Sequence, residues 1–302
     1  VADNMVFGNK IPYEGAIGTS IAKVFDMTVA ASGLPAKRLK QAGIDYLSAT
    51  IHSGSHAGYY PDALQMSIKI TFSPADGKLL GAQIVGYSGV DKRIDEFSQV
   101  IKHSGTVYDL MALEQAYAPP FSSAKDPVAV TGYVAGNILN GKMQPLYWRE
   151  LQAADWSKVT LVDVRTPDEF ALGALKGAVN IPLDDMRDRM KEIPRDKPVY
   201  LYCGVGLRGY LASNILLQNG YQEVKNLIGG LKLYKAATTP LPEPKEFSNS
   251  GSSSSDSSKV DHSEHSKDSA EAYTIASSVI PSMRAIKVDA CGISCPGPIM
   301  KL

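Results

Sequence analysis

"LYCGVGLRGY", residues 201–210, puts one of the chain's three cysteines at the head of a glycine-rich turn closed by an arginine. The preceding "KPVYLY" (197–202) is a short β-branched and aromatic run, which predicts a buried strand. The following "GYLASNILLQNG" (209–220) sets Tyr210, Leu211, Ile215, Leu216 and Leu217 at helical spacing and stops at Asn219–Gly220. The segment reads as strand, tight turn and helix, with Cys203 at the crest. Backbone N–H groups of such a turn point inward and share the positive end of the helix dipole. A sulfur anion held there is stabilised. Gly204 and Gly206 let the backbone curl, and Arg208 adds a permanent charge. A buried core cysteine needs none of this. Two chemistries fit the cradle, a persulfide and a phosphate ester. Four residues separate Cys203 from Arg208, one fewer than in the ring with which cysteine-dependent phosphatases surround a phosphate. The shorter ring suits a terminal sulfur.

Outward from this turn, residues 146–237 alternate short β and α patterns. "VTLVDVRT" (159–166), "AVNIPL" (178–183), "KPVYLYC" (197–203) and "EVKNLIGG" (223–230) are candidate strands. Helical patterns fall around 184–192 and 209–218. That alternation predicts an α/β domain with a parallel sheet. Residues 1–143 differ. "GTSIAKVFDMTVAASGL" (18–34) leads into a strand carrying Ile21, Val24 and Phe25. "SATIHSGSHAGYYP" and "LQMSIKITFSPADGKLLGAQIVGYSG" predict three antiparallel strands with a hairpin at Ala75-Asp76-Gly77. "VDKRIDEFSQVIKHSG" (90–105) predicts a helix from Ile94, Phe97, Val100 and Ile101. The first block is therefore expected to be α+β, an antiparallel sheet with helices. No G-x-G-x-x-G follows a strand in it, which excludes that route to a dinucleotide.

Residues 238–272, with prolines followed by serine-rich low complexity, read as a disordered linker. Its mean reach is ~30 Å. His262 and His265 lie inside it and are read as solvated. Ordered sequence resumes at 273–302 and stops at Leu302 within a helical pattern; the chain opens on Val1 rather than methionine. It is read as a piece of a longer protein. Lys plus Arg and Asp plus Glu are equal at 31 each, with no basic block, so nucleic acid is excluded as the expected partner. No apolar run reaches ~18 residues and no signal-peptide pattern opens the chain. The sparse, odd cysteine count suits a reducing compartment. A cytoplasmic protein without a membrane span is expected. No triad or metal site is expected at His52, His56 or His103.

"LVDVRTPDEFALGALKGAVNIPL" (161–183), the Cys203-to-Arg208 loop and "NLIGGL" (226–231) together resemble a single-domain rhodanese. The resemblance implies that Cys203 carries a persulfide held by the amides of Gly204, Val205, Gly206, Leu207 and Arg208. It also implies that Asp163 and Arg165 brace the loop from a neighbouring strand. "GTSIAKVFDMTVAASGL", "HAGYYP" (56–61) and "AYAPPFSSAKDPV" (116–128) resemble the dimerisation domain of flavin- and pyridine-nucleotide-dependent disulfide reductases. The subgroup is that of coenzyme A disulfide reductases and NADH-dependent persulfide reductases, some of which continue into a rhodanese. This implies FAD and NADH domains upstream of Val1, coenzyme A as a ligand of the whole enzyme, and a homodimer formed through residues 1–143. None of these cofactors is expected to bind tightly to this chain alone. Tyr117 and one of Tyr59 and Tyr60 match tyrosines that, by the resemblance, reach the partner's redox site and hydrogen-bond or protonate a leaving thiolate. Adjacent strand residues point to opposite faces, so only one of Tyr59 and Tyr60 can face the site, and family spacing to Tyr117 favours Tyr59. The competing reading is of half-buried sheet tyrosines with ordinary partners.

"VDACGISCPGPIMKL" (288–302) resembles the opening of TusA-type sulfur carriers. That places Cys295 before Pro296 at a helix start, and Cys291 where many members have arginine. The expected function is sulfur transfer from thiosulfate, persulfides or small thiols within a coenzyme A disulfide or persulfide reductase. The alternative is a non-catalytic dimerisation and docking module bearing a rhodanese-like domain.

Overall fold

The computed structural model describes residues 2–240. In chain order the elements begin with α1 (Ala2–Phe7), β1 (Ser20–Val24), β2 (Met27–Gly33) and α2 (Ala36–Gln41). There follow β3 (Leu47–Gly54), β4 (Gln65–Phe72), β5 (Leu79–Gly86), α3 (Val90–Lys102), α4 (Val107–Ala112) and α5 (Pro127–Leu139). The second half runs β6 (Gln144–Leu146), α6 (Trp148–Ala153), β7 (Thr160–Asp163), α7 (Pro167–Ala171), β8 (Val179–Asn180) and α8 (Met186–Arg189). It ends with β9 (Val199–Tyr202), α9 (Leu207–Gln218), β10 (Val224–Leu227) and α10 (Gly230–Thr238).

The first sheet is five-stranded and antiparallel, in the order β1-β2-β5-β4-β3. Alternation along β3 and β4 puts Ala49, Ile51, Met66, Ile68, Ile70 and Phe72 into one core with Ile94, Phe97 and Val100 of α3. Residues of α4 and α5 complete that core. Arg93 locks α3 to the start of α5. It is buried, donates to both carboxylate oxygens of Asp126 at 3.3 and 2.8 Å, and reaches the carbonyls of Gly89 and Ser55. Asp126 in turn caps α5 by accepting from Val128 N. Burial alone would raise the Asp126 pKa. The hydrogen bonds from Arg93 and Ser122 outweigh it and hold the carboxyl below its usual range. The sequence pattern carries the first strand through Phe25, but the chain reverses there. Val24 faces Met27 across the hairpin, and Phe25 takes a positive φ of 53° in the turn.

The second sheet is also five-stranded, in the order β6-β10-β9-β7-β8, and all its pairings are parallel. Both of its faces are covered. Val162, Leu201, Ala212 and Leu216 pack on one side, and Leu161, Tyr200, Leu146 and Leu231 on the other. The edge strand β6 is three residues long and contains Pro145, too short to register as a period of two. Residues through Thr239 form one compact unit. The Tyr147 hydroxyl bolts the sheets together, donating to Ser48 O at 3.1 Å and accepting from Ser48 N at 3.3 Å. Ile228 and Tyr210 of the second half pack into the first core. The serine-rich segment, Cys291, Cys295 and the carrier-like stretch lie outside the described residues. Among the described residues no helix is long and apolar enough to cross a membrane.

Candidate active site

β9 delivers Cys203 to the C-terminal edge of the parallel sheet, where α/β sheets place their sites. The side chain is 1% exposed. Its Sγ accepts a hydrogen bond from Gly206 N at 3.1 Å, so a loop amide points at the sulfur. Gly206, with φ of 117°, turns the chain into α9 and leaves that amide inside the ring. Three further hydrogen bonds fix the turn. Asn226 Nδ2 donates to Gly206 O at 3.0 Å. Beneath the loop, the first turn of α10 donates Leu231 N to Cys203 O at 2.8 Å and Lys232 N to Gly204 O at 3.0 Å. Gly230 permits this approach. A Cβ there would lie 2.6 Å from Cys203 O and from Gly204 C. Val205 and Leu207 project to solvent at the rim.

Arg208 is not a free cation above the sulfur. Its guanidinium holds both oxygens of Glu169, at 2.6 and 2.7 Å. Glu169, and more weakly Cys203, keep Arg208 still more firmly protonated against its partial burial. The same carboxylate closes the capping box of α7 by accepting from Thr166 N at 3.1 Å. Asp163 and Arg165 are bound to each other, with Arg165 Nη2 2.6 Å from Asp163 Oδ2, and Arg165 also donates to Gly173 O. Asp163 is fully buried at the end of β7, directly across from Tyr202. Val164 N donates to Tyr202 O at 3.0 Å. The pair therefore stands beside the residue that precedes Cys203, and meets the loop through strand pairing.

At the far end of the first sheet the Tyr59 and Tyr117 hydroxyls meet at 3.2 Å. Both are exposed, by 77% and 51%. The hydrogen bond to Tyr117 raises the Tyr59 pKa, and slight desolvation adds to it. Tyr59 and Tyr60 lie in the turn after β3 rather than on a strand. Strand alternation is thus not what separates them; Tyr60 instead sets its ring edge-on to His56, 5.8 Å between centroids. Among the described residues no cluster of His, Cys, Asp or Glu is placed to hold a metal ion.

Sequence reasoning missed the roles of Glu169, Asn226 and Gly230. A T-x-x-E signature at Thr166–Glu169 and the Gly229–Gly230 pair were the available signals. Nothing local marks Asn226 as a loop anchor.

Residues 19–128 match the family model described as the pyridine nucleotide-disulphide oxidoreductase dimerisation domain. Residues 147–237 match that of the rhodanese-like domain. Coenzyme A disulfide reductase of Staphylococcus haemolyticus is 38% identical over 138 residues, covering 46% of this chain and 31% of that protein. Its Staphylococcus aureus (strain Newman) counterpart is 36% identical over 135 residues, covering 45% of this chain and 30% of that one. The chain thus spans less than a third of the length of these curated relatives. Among solved structures, reduced Bacillus anthracis CoADR-RHD superposes with a TM-score of 0.75 at 47% identity, over 78% of this chain and 42% of that one. A NAD-dependent persulfide reductase from A. fulgidus superposes with a TM-score of 0.68 at 35% identity, over 76% and 41%. The two family models thus match consecutive parts of this chain, the dimerisation-domain model over residues 19–128 and the rhodanese-like model over residues 147–237.

Proposed function

We propose that this chain is the sulfur-transfer part of a larger FAD- and NADH-dependent coenzyme A disulfide or persulfide reductase, with sulfane sulfur carried on Cys203. The observation that carries the reading is the Cys203 Sγ seated on the Gly206 amide in a ring that opens at Val205 and Leu207. In the loading step the Cys203 thiolate attacks the outer sulfur of thiosulfate. A new S–S bond forms, the bond to the sulfonate sulfur breaks, and sulfite leaves with its electron pair. The charge then sits on the terminal sulfur, where the loop amides and the helix dipole stabilise it. In the unloading step a second thiolate, from a pantetheine or from Cys295, attacks that terminal sulfur and returns Cys203 as thiolate.

FAD and NADH belong to other domains of the whole enzyme. The glycine turn at 204–206 holds Cys203 Sγ and is flanked by the Arg208–Glu169 pair. What this chain would offer the redox centre of a partner subunit is the Tyr59–Tyr117 hydroxyl pair, able to donate a proton to a leaving thiolate. The A. fulgidus persulfide reductase and the staphylococcal coenzyme A disulfide reductases support that setting by similarity.

Incubation with thiosulfate should add one sulfur atom to Cys203, read by mass spectrometry of its peptide. Cys203→Ser should abolish both this gain and sulfite release with the fold kept, since the hydroxyl is nearly isosteric and cannot hold a persulfide. Sulfur mapping only to Cys295, or activity retained in the variant, refutes the assignment.

A further inference from the structure

A cleft of about 300 Å³ lies between the start of β3, the middle of β4, and the corner made by β6, α6 and α10. Its chemistry is lopsided. Lys69 and Arg149 both line it, and none of its lining residues is acidic. On the sheet, Lys69 stands between Thr50 and Gln83, both uncharged. Among the described residues neither Lys69 nor Arg149 takes part in an ion pair. The carboxylate next to Arg149, that of Glu150, does not line the cleft and is bound to Lys225 at 2.6 Å.

We propose that this cleft binds a small organic anion, a phosphate monoester or a carboxylate carried on a compact apolar body. Two unneutralised cations facing one cavity repel each other, and an anion between them removes that penalty. The Arg149 guanidinium lies 4.6 Å from the Trp148 ring, and a guanidinium stacked on an aromatic face keeps in-plane N–H donors that suit an oxyanion. Ser48 and Thr50 supply hydroxyls at the wall. Trp148, Ile228 and Leu233 supply an apolar surface for the ligand's carbon skeleton. The volume is at the small end of small-molecule sites, below what a dinucleotide needs. The site is independent of the Cys203 chemistry, although Ile228 and Leu233 bracket the turn that supports the sulfur loop.

Burial, and then the Arg149 charge, press the Lys69 pKa down to about 8. The other groups facing it are Tyr46, Tyr147 and Arg149. Burial pushes the Tyr147 phenol up, and Arg149 keeps its charge throughout. Anion affinity should therefore fall as pH rises through Lys69's range, between about 7 and 9.

The test is calorimetric titration of the 302-residue chain with phenyl phosphate, benzoate, inorganic phosphate and phenol. Phenyl phosphate or benzoate should bind at pH 7, the tighter of the two naming the head group. Inorganic phosphate and phenol should each bind about tenfold more weakly. Lys69→Met and, separately, Arg149→Gln should each weaken binding about tenfold, the loss of one charge-assisted contact. The pH dependence should vanish in Lys69→Met. Arg149 is exposed at the rim, so its variant tests the idea even if Lys69→Met unfolds. No binding of either organic anion at millimolar concentration, equal binding of inorganic phosphate, or unchanged affinity in Arg149→Gln overturns the proposal.

Discussion

The Arg208 guanidinium and the Glu169 carboxylate meet fork to fork, with hydrogen bonds of 2.6 and 2.7 Å between the loop of Cys203 and helix α7. Arg208 first, then the Thr166 amide, hold the Glu169 pKa down at about 2 against its partial desolvation. The folded value lies below the unfolded one, so the stabilisation is complete above about 4.5 and is lost as pH falls toward about 2. Both side chains are about one-third exposed, and solvent screening limits the pair to about 1 kcal/mol. Glu169→Gln should lower stability by about that amount at pH 7 and flatten the acid limb of a urea-midpoint profile. It should also slow thiosulfate loading of Cys203, because Arg208 is released from the loop's edge. An acid limb identical to that of the parent chain removes Glu169 as its source.

Gly230 carries the sulfur loop from below. Its φ is +59°, and a Cβ would press on Cys203 O and Gly204 at 2.6 Å. Gly230→Ala should cost about 1–3 kcal/mol from backbone strain. It should also push the first turn of α10 off the loop, breaking the Leu231 N to Cys203 O bond. Sulfur loading is expected to drop more than the thermal midpoint suggests. A variant with parent-like loading and a parent-like midpoint would mean that the loop stands without this support.

His52 sits on β3 with Nδ1 2.8 Å from Ser67 Oγ. Burial, and next the charge of Lys232, lower its pKa to about 4. The ring is held neutral in the folded chain and takes up a proton more readily when unfolded. Stability should therefore decline as pH falls from about 6.5 to about 4, by up to about 3 kcal/mol. In His52→Gln the decline over this window should shrink. Urea unfolding of both proteins at pH 7 and pH 4.5 measures it, and equal declines would exonerate His52.

Both sheets could be read from the sequence where a pattern had room to repeat. The β4 stretch Gln65–Phe72 alternates over eight residues, and the run before Cys203 is apolar on both faces because helices cover both sides of its sheet. Three-residue β6 and two-residue β8 offer hardly one period. Phe25 continues the apolar pattern of β1 although the backbone turns there, since side-chain period says nothing of φ. The site divides in the same way. Cys203, Gly206 and Arg208 are contiguous and legible as one loop. Glu169 and Asn226 touch that loop from 39 and 20 residues away, through contacts that only tertiary packing creates. The cleft at Lys69 was invisible for the same reason, as it draws on strands and helices from both halves.

The turn after β3 and the segment before α5 expose Tyr59, Tyr117 and Phe121, the last by 72%. This aromatic group lies within residues 19–128, the part that matches a dimerisation domain. Clustered exposed aromatics mark contact surfaces, and two-fold dimers are the commonest closed assembly. The chain is therefore expected to sediment as a dimer at micromolar concentration, joined through residues 1–143 with the rhodanese-like half outside the contact. Phe121→Asp should weaken that dimer about tenfold or more, as burying an unpaired carboxylate is costly. Leu172 is 87% exposed on the other half, and Leu172→Asp should leave the dimer unchanged. If Leu172→Asp dissociates the dimer while Phe121→Asp does not, the contact lies on the rhodanese-like half instead.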